Sequence, residues 1–403
     1  MRIGLLCSYL ALGADADSGI GQHYRILADA LAAEGHHVHV VHPTSQPDAA
    51  RSALAALSPP WTCDIVPVRT PRWLDRMLLR SWPSRVLMTE LCAARAASRA
   101  LALAVQRHGL EIIETHATGS PALFYLRRRN RPPVLTRVST TMSQMNAAST
   151  ISSRVKNWQA AIERFTVRSS DALVTHTKKH RDAICALDGY DPGDFAIVPH
   201  GLPDIASPRH APLPADGAPE ILFVGRFDHR KGIDVLLETI PAVLAAYPLA
   251  RFTLAGSLGD GVDWEAFTRR HPSLVGNRVV APGRLSTAEI DRLYARCDIF
   301  VAPSRYESFG LIYAEAMRHA KPVVGCDVGG IPEVVTDGVT GLLAKPGDVA
   351  SLVACLVRLL ADPSLRTSLG QAGREDFVRR FSAARMAIDS ATLYASIAAN
   401  IRP

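Results

Sequence analysis

One stretch narrows what this chain can become more than any other: Pro303 to Gly341, PSRYESFGLIYAEAMRHAKPVVGCDVGGIPEVVTDGVTG. The apolar run before it, Asp298 to Ala302, reads as a buried parallel strand that Pro303 and Ser304 terminate. The spacing then predicts a helix over Phe309 to Arg318 with Ser308 as its N-cap, a second strand over Pro322 to Cys326, and a turn at Gly329-Gly330. A strand-helix-strand crossover belongs to a parallel α/β sheet, and such sheets bind ligands beyond the carboxyl ends of their strands. Glu307 falls in the strand-to-helix turn and Glu315 two turns into the helix. The amides of Phe309, Gly310 and Leu311 fall in the expected first turn, where N–H groups lack intrahelical partners and the dipole favours an anion. The stretch therefore predicts a phosphate cradle with a carboxylate on either side.

A chain of 403 residues is long for one core, and two domains of about 200 residues are expected. With 48% hydrophobic and 21% charged residues the chain has ample material for two cores and is not low-complexity. No apolar run reaches the ~18 residues of a membrane span, and the single Arg2 before IGLLCSYLALGADA makes a poor signal peptide. Seven scattered cysteines with no CxxC fit reduced thiols in the cytoplasm, and no metal-ligand spacing is present. The net charge of +7 is spread over many arginines and selects no partner by itself.

Along the chain, apolar runs at Arg2 to Tyr9, Val38 to Val41, Asp64 to Val68, Leu110 to Glu114, Val134 to Val138, Ala172 to Thr175 and Ala196 to Pro199 predict the strands of a Rossmann-like domain over 1–202. Asp15 to Gly21 reads as a loop, followed by a helix that Gly35 ends. Its Ser18-Gly19-Ile20-Gly21 is an incomplete match to a dinucleotide fingerprint, because Tyr24 stands at the third glycine position. Gly19 and Gly21 are nonetheless candidate donor contacts. His116, in ETHATGSP, stands at a strand's carboxyl end on the binding side of the sheet. Arg137, Ser139 and Thr140 end the next strand as candidate acceptor contacts, and Arg127 to Arg131 reads as a solvated basic turn. The segment Trp73 to Trp82, apolar and basic, is either a helix on the sheet with its Arg heads in water or a peripheral membrane or acceptor contact.

Five prolines between Pro203 and Pro219 mark a linker over 203–219. The second domain, 220–384, opens with a strand at Ile221 to Val224, then Gly225, Arg226 and Lys231 in G-R-x4-K-G, then a helix from Ile233 to Ile240. Arg226 and Lys231 bracket a strand-to-helix loop and together suit a diphosphate. Arg251 to Ala255 and Val279 to Ala281 predict further strands, the latter leading to Gly283-Arg284-Leu285.

The E-x7-E segment followed by PVVGCDVGGIPEVVTDGVTGLL, together with G-R-x4-K-G, resembles the signature of the retaining glycosyltransferases of family 4, most strongly from Glu220 to Phe381. The resemblance implies the GT-B fold, two Rossmann-like domains facing each other across a cleft, with a last helix near 385–403 packing back on the first. It implies a nucleotide-diphosphate sugar donor, UDP-linked before GDP-linked, and a hydroxyl acceptor, with no cofactor, no required metal and no nucleic-acid partner, in a monomer or homodimer. In the family's pattern Glu307 contacts donor-sugar hydroxyls and Glu315 the ribose. Arg226 and Lys231 meet the diphosphate, Arg284 and Leu285 the base by backbone, and His116 the reacting sugar. Ser18 replaces one of two usual glycines, and His200-Gly201 replaces an Asn-Gly. Arg318 and Ala320 alter the turn before Pro322. The competing functions are an NAD-dependent oxidoreductase, resting on the Ser18 loop, a phosphorylase-like GT-B enzyme, and a GT-B scaffold that binds nucleotide or sugar without catalysis.

Overall fold

The computed structural model describes residues 1–12, 18–70, 82–147, 154–205, 217–259 and 264–401. These fall into two compact units, 1–201 with 383–403, and 202–382. Residues 71–81, which hold Trp73, lie outside the described residues, as do 206–216 of the expected linker; Trp82 opens a helix, Trp82–His108.

The first unit is a seven-stranded parallel sheet of β1 (Arg2–Leu6), β2 (His37–Thr44), β3 (Thr62–Pro67), β4 (Ile112–His116), β5 (Val134–Arg137), β6 (Ala172–Thr175) and β7 (Phe195–Ile197) in the order β3-β2-β1-β4-β5-β6-β7. The central strands are buried along their length because helices cover both faces, so they read as apolar runs without alternation. Helix Gly19–Ala33 buries Tyr24, Leu27, Ala28 and Leu31, and helix Ala383–Ile401 returns to the same core through Met386, Ala387, Tyr394 and Ile397. Each such Leu or Ile side chain withdrawn from water is worth roughly 1.5–3 kcal/mol. Helix Pro47–Leu57 follows β2 and buries no residue fully.

The second unit is a six-stranded parallel sheet of β8 (Glu220–Val224), β9 (Arg251–Ala255), β10 (Val279–Gly283), β11 (Ile299–Val301), β12 (Val323–Cys326) and β13 (Gly341–Ala344), ordered β10-β9-β8-β11-β12-β13. Helix Ile233–Ala246 runs six residues past the expected Ile240, through Pro241, because Val243 and Leu244 continue its buried face. Residues 202–205 belong to this unit rather than to a free linker: Leu202 N–H donates to Phe381 O (2.9 Å), and Arg374 holds the Asp204 carboxylate (2.5 Å).

In both sheets the strand order reverses beside the first strand, between β1 and β4 and between β8 and β11. At such a switch point the two adjoining connections leave on opposite faces, and a crevice opens at the carboxyl ends.

Candidate active site

At the switch point of the second unit, the loop leaving β8 and the turn leaving β11 meet. Lys231 Nζ lies 2.5 Å from Glu307 Oε1 and Arg230 Nη1 3.4 Å from Glu307 Oε2, while the Ser304 hydroxyl donates to the same carboxylate at 3.1 Å. Glu307 is 8% exposed, so three donors converge on a nearly buried anion. Glycine makes the approach possible. Gly232 has φ +68°, and a Cβ there would sit 1.9 Å from Pro303 O; a Cβ on Gly329 would sit 2.5 Å from Glu307 O. The Gly329-Gly330 turn therefore packs on the Glu307 backbone, and Gly330 N–H donates to Glu307 O (2.8 Å). Behind the loop, Arg305 grips Asp234 with two 2.7 Å bonds and donates to His229 O at 2.8 Å. Burial alone would raise the Asp234 carboxyl; the Arg305 bonds and charge hold it below its ordinary value.

Arg226 extends into solvent, 65% exposed along its side chain, and pairs with Asp228 at 2.8 Å. The expected helix start is corrected. The helix is Leu311–Arg318, Gly310 at φ +92° is its N-cap, and Ser308 lies outside it. An αL residue breaks the helical path, so Phe309 and Gly310 precede the first turn; no side chain caps the N-terminus, and its first amides are left for solvent or ligand. Phe309 packs its ring edge-on against Phe381. Glu315 accepts the Tyr294 hydroxyl proton at 2.8 Å. Burial raises its pKa, opposed by that bond and by the charges of Arg318 and Lys231. Arg284, exposed, and Leu285, half-buried, follow β10 at the same edge of the sheet.

At the switch point of the first unit, His116 is the last residue of β4, 2% exposed, and its Nε2 accepts the Ser8 N–H at 3.2 Å. Burial lowers its pKa to about 4, partly offset by the Thr118 backbone, so the ring is neutral with its proton on Nδ1. Gly19 and Gly21 are in a helix, not a loop: Ser18 is the N-cap, accepting Gly21 N–H at 3.1 Å. A Cβ on Gly21 would lie 1.8 Å from Tyr9 O, so that glycine serves helix-to-strand packing, whereas Gly19 faces open space.

Arg137 is turned inward, against the expectation of an acceptor contact. It is 1% exposed, donates to Glu114 Oε1 at 2.7 Å and to Val198 O at 3.2 Å, and Glu114 in turn accepts from Tyr394 of the returning helix at 2.5 Å. A buried guanidinium needs a counter-charge, and Glu114 on the neighbouring strand supplies it. Ser139 is half-buried and Thr140 exposed just beyond. Among the described residues no group of three His, Cys, Asp or Glu side chains is placed to hold a metal ion, and no helix is long and apolar enough to cross a membrane.

Residues 218–362 match the family described as glycosyl transferases group 1, and residues 18–204 match glycosyltransferase family 4. The alpha-maltose-1-phosphate synthase of Mycolicibacterium smegmatis is 30% identical over 270 residues, 61% of this chain and 67% of that protein. The chain belongs to the family 4 glycosyltransferases. The glycogen synthase of Mycobacterium tuberculosis is 33% identical over 235 residues, 58% of this chain and 56% of its own length, so the chain spans little more than half of that relative. Among solved structures, a sucrose-phosphate synthase of Thermosynechococcus elongatus superposes with TM-score 0.72 at 24% identity over 99% of both chains. HepE of Anabaena, in complex with UDP, superposes with TM-score 0.71 at 17% identity over 98% of this chain and 100% of that one. These likenesses give the family 4 chain the GT-B fold.

Within this family 4 chain, sequence reading missed Arg230, Ser304 and Tyr294. Arg230 had a visible signal, the His229-Arg230-Lys231 run inside the loop; Ser304 and Tyr294 had none, because each reaches its glutamate only through the fold. It also missed a stack of four histidines in the first unit. His176 lies on His180 (4.5 Å) and on His200 (4.6 Å), and His23 bonds His200 with Nδ1 atoms 3.0 Å apart.

Proposed function

We propose that the chain is a retaining glycosyltransferase that moves a sugar from a nucleotide-diphosphate donor, a UDP-sugar before a GDP-sugar, to a hydroxyl acceptor without a required metal. The second unit takes the donor and the first the acceptor. The observation that carries this reading is the convergence of Lys231 and Arg230 on Glu307 beside an uncapped helix N-terminus.

A leaving diphosphate needs compensating charge, and the oxocarbenium-like sugar needs a nearby carboxylate. Lys231, Arg230 and Arg226 with the first amides of helix Leu311–Arg318 supply the former by fixed electrostatics, the function a divalent cation serves elsewhere. Glu307, held by three donors, accepts sugar hydroxyls. Glu315 receives the ribose. Front-face attack gives retention, with the departing phosphate taking the acceptor's proton. His116 is a positioning donor: its Nε2 is occupied by Ser8 N–H and its Nδ1 carries the proton, so it presents a hydrogen and no free base. The seven cysteines are free, which fits the cytoplasm.

A melting screen against UDP, GDP, ADP, dTDP, NAD and NADP, with and without EDTA, tests the reading. A nucleoside diphosphate at a hundredfold its Kd stabilises by about 2.7 kcal/mol, a shift easily seen. A UDP shift unaffected by EDTA is the expected outcome. A shift with NAD or NADP alone overturns the glycosyltransferase, and abolition by EDTA overturns metal independence.

A further inference from the structure

The second unit has a cavity of about 300 Å³ at the amino-terminal edge of its sheet, away from the Lys231–Glu307 pair, lined by Arg296, Asp298, Lys321, Arg366, Thr367 and Gln371. Asp298 directly precedes β11 and Lys321 lies two residues before β12. Lys321 is 5% exposed, and its ammonium has no hydrogen-bond or ion-pair partner among the described residues. Burial lowers its pKa, with the Cys297 thiol and Asp298 pulling it back.

The other charges at the cavity are mostly committed. Arg296 grips Glu220 through two bonds of 2.8 and 2.9 Å, and Asp298 accepts the Glu220 N–H at 2.7 Å. Among the described residues the Arg366 guanidinium donates to the Leu359 and Leu360 carbonyls (2.7 and 3.2 Å) and has no ion pair, with the Asp362 carboxylate in its field. Two cations therefore lack a paired carboxylate. The Lys321 side chain is buried along its stem while it lines the cavity, so its ammonium can meet an anion or water there. Its volume is at the lower end of small-ligand sites. Thr367 and Gln371, one helical turn apart on Pro363–Asp376, share a face; the Thr367 hydroxyl donates to Pro363 O (3.0 Å) and offers its oxygen as an acceptor, and Gln371 offers an amide.

We propose that this cavity binds a small phosphate monoester, with Lys321 and Arg366 on the phosphate and Thr367 and Gln371 on a polar body. A phosphate monoester carries close to two charges at neutral pH, matching one point-like and one forked cation. The site stands apart from the donor loop and does not depend on the glycosyltransferase reading.

Calorimetric titration of the full chain with glucose 6-phosphate, glucose and inorganic phosphate tests it, in the wild type and in Lys321→Met, Arg366→Met and Lys231→Met. Expected is binding of glucose 6-phosphate but not of glucose, weakened about tenfold or more by Lys321→Met and by Arg366→Met, and unchanged by Lys231→Met. Inorganic phosphate binding as tightly as the ester identifies free phosphate as the ligand of the same two cations. Arg366 is partly exposed, so its variant keeps the test intact if Lys321→Met fails to fold. The proposal is overturned if the wild type binds no phosphate compound at millimolar concentration, or if only Lys231→Met reduces binding.

Discussion

The two switch points of this molecule are built from the same topology and filled with opposite chemistry. At the carboxyl ends of β8 and β11, cations and a carboxylate are gathered near the surface, with Arg226 reaching into solvent. At the carboxyl ends of β1 and β4 the polar groups are folded inward: Glu114, Arg137 and Tyr394 form a buried network in which Arg137 Nη2 has no partner among the described residues, and His116 is neutral. An exposed arrangement of charge can meet a ligand without refolding, whereas a buried pair is committed to the fold. Matching topology therefore places a crevice but does not say which side chains face it.

The largest test of this contrast is at Glu307. Glu307→Gln keeps shape and removes charge, and turnover is expected to fall about a hundredfold to a thousandfold while UDP affinity stays within a few-fold, measured by steady-state kinetics and titration. Retained turnover would erase the distinction between the two crevices. Next, Glu114→Gln strands the buried Arg137 guanidinium, and about 3–5 kcal/mol of stability is expected to disappear in urea unfolding followed in the first unit. A loss below about 1 kcal/mol would mean that water, not Glu114, satisfies Arg137.

The third test is pH. His116 and His180 are neutral in the folded chain with pKa values lowered to about 4 by burial, against an ordinary value of 6.5. Between those values the unfolded chain binds more protons, so stability falls on acidification, by at most about 1.4 kcal/mol per pH unit for each histidine. Glu163 acts in the opposite direction: burial raises it to about 7, so its contribution is full below 4.5 and lost as pH rises through about 7. Unfolding midpoints of the first unit should peak between these limits, and Glu163→Gln should steepen the rise above pH 4.5 and flatten the fall toward pH 7. The smallest effect is expected at Ala320, which holds φ +55° at the end of helix Leu311–Arg318. Ala320→Gly relieves that left-handed strain and should stabilise by about 1 kcal/mol without altering turnover.

Legibility followed the same divide. Most strands came out of the sequence within about two residues, and β1 and β2 within about three, because parallel strands covered on both faces are unbroken apolar runs; β13 (Gly341–Ala344) was not anticipated. That Lys231 and Glu307 stand together was legible because each sits in a turn leaving one of two adjacent buried parallel strands, whereas Glu315 was placed on its helix by spacing alone. Arg137 misled because a strand-end arginine looks the same whether it points to solvent or to a glutamate on the next strand. The helix start at Leu311 was misplaced because Ser308 is a good N-cap residue by type, and only the φ of Gly310 shows that the chain turns later. The histidine cluster draws His23, the His176/His180 pair and His200 from three separate stretches, so no local pattern could announce the whole of it.

The Tyr394–Glu114 bond joins residues 280 positions apart and completes the first core from the far side of the second unit's sequence. On a ribosome that order has a consequence: all of 202–382 emerges before the first unit can close. The core begun first is covered last, and the nascent chain must keep the apolar ground that Met386 and Ile397 will cover from meeting other partners in the meantime.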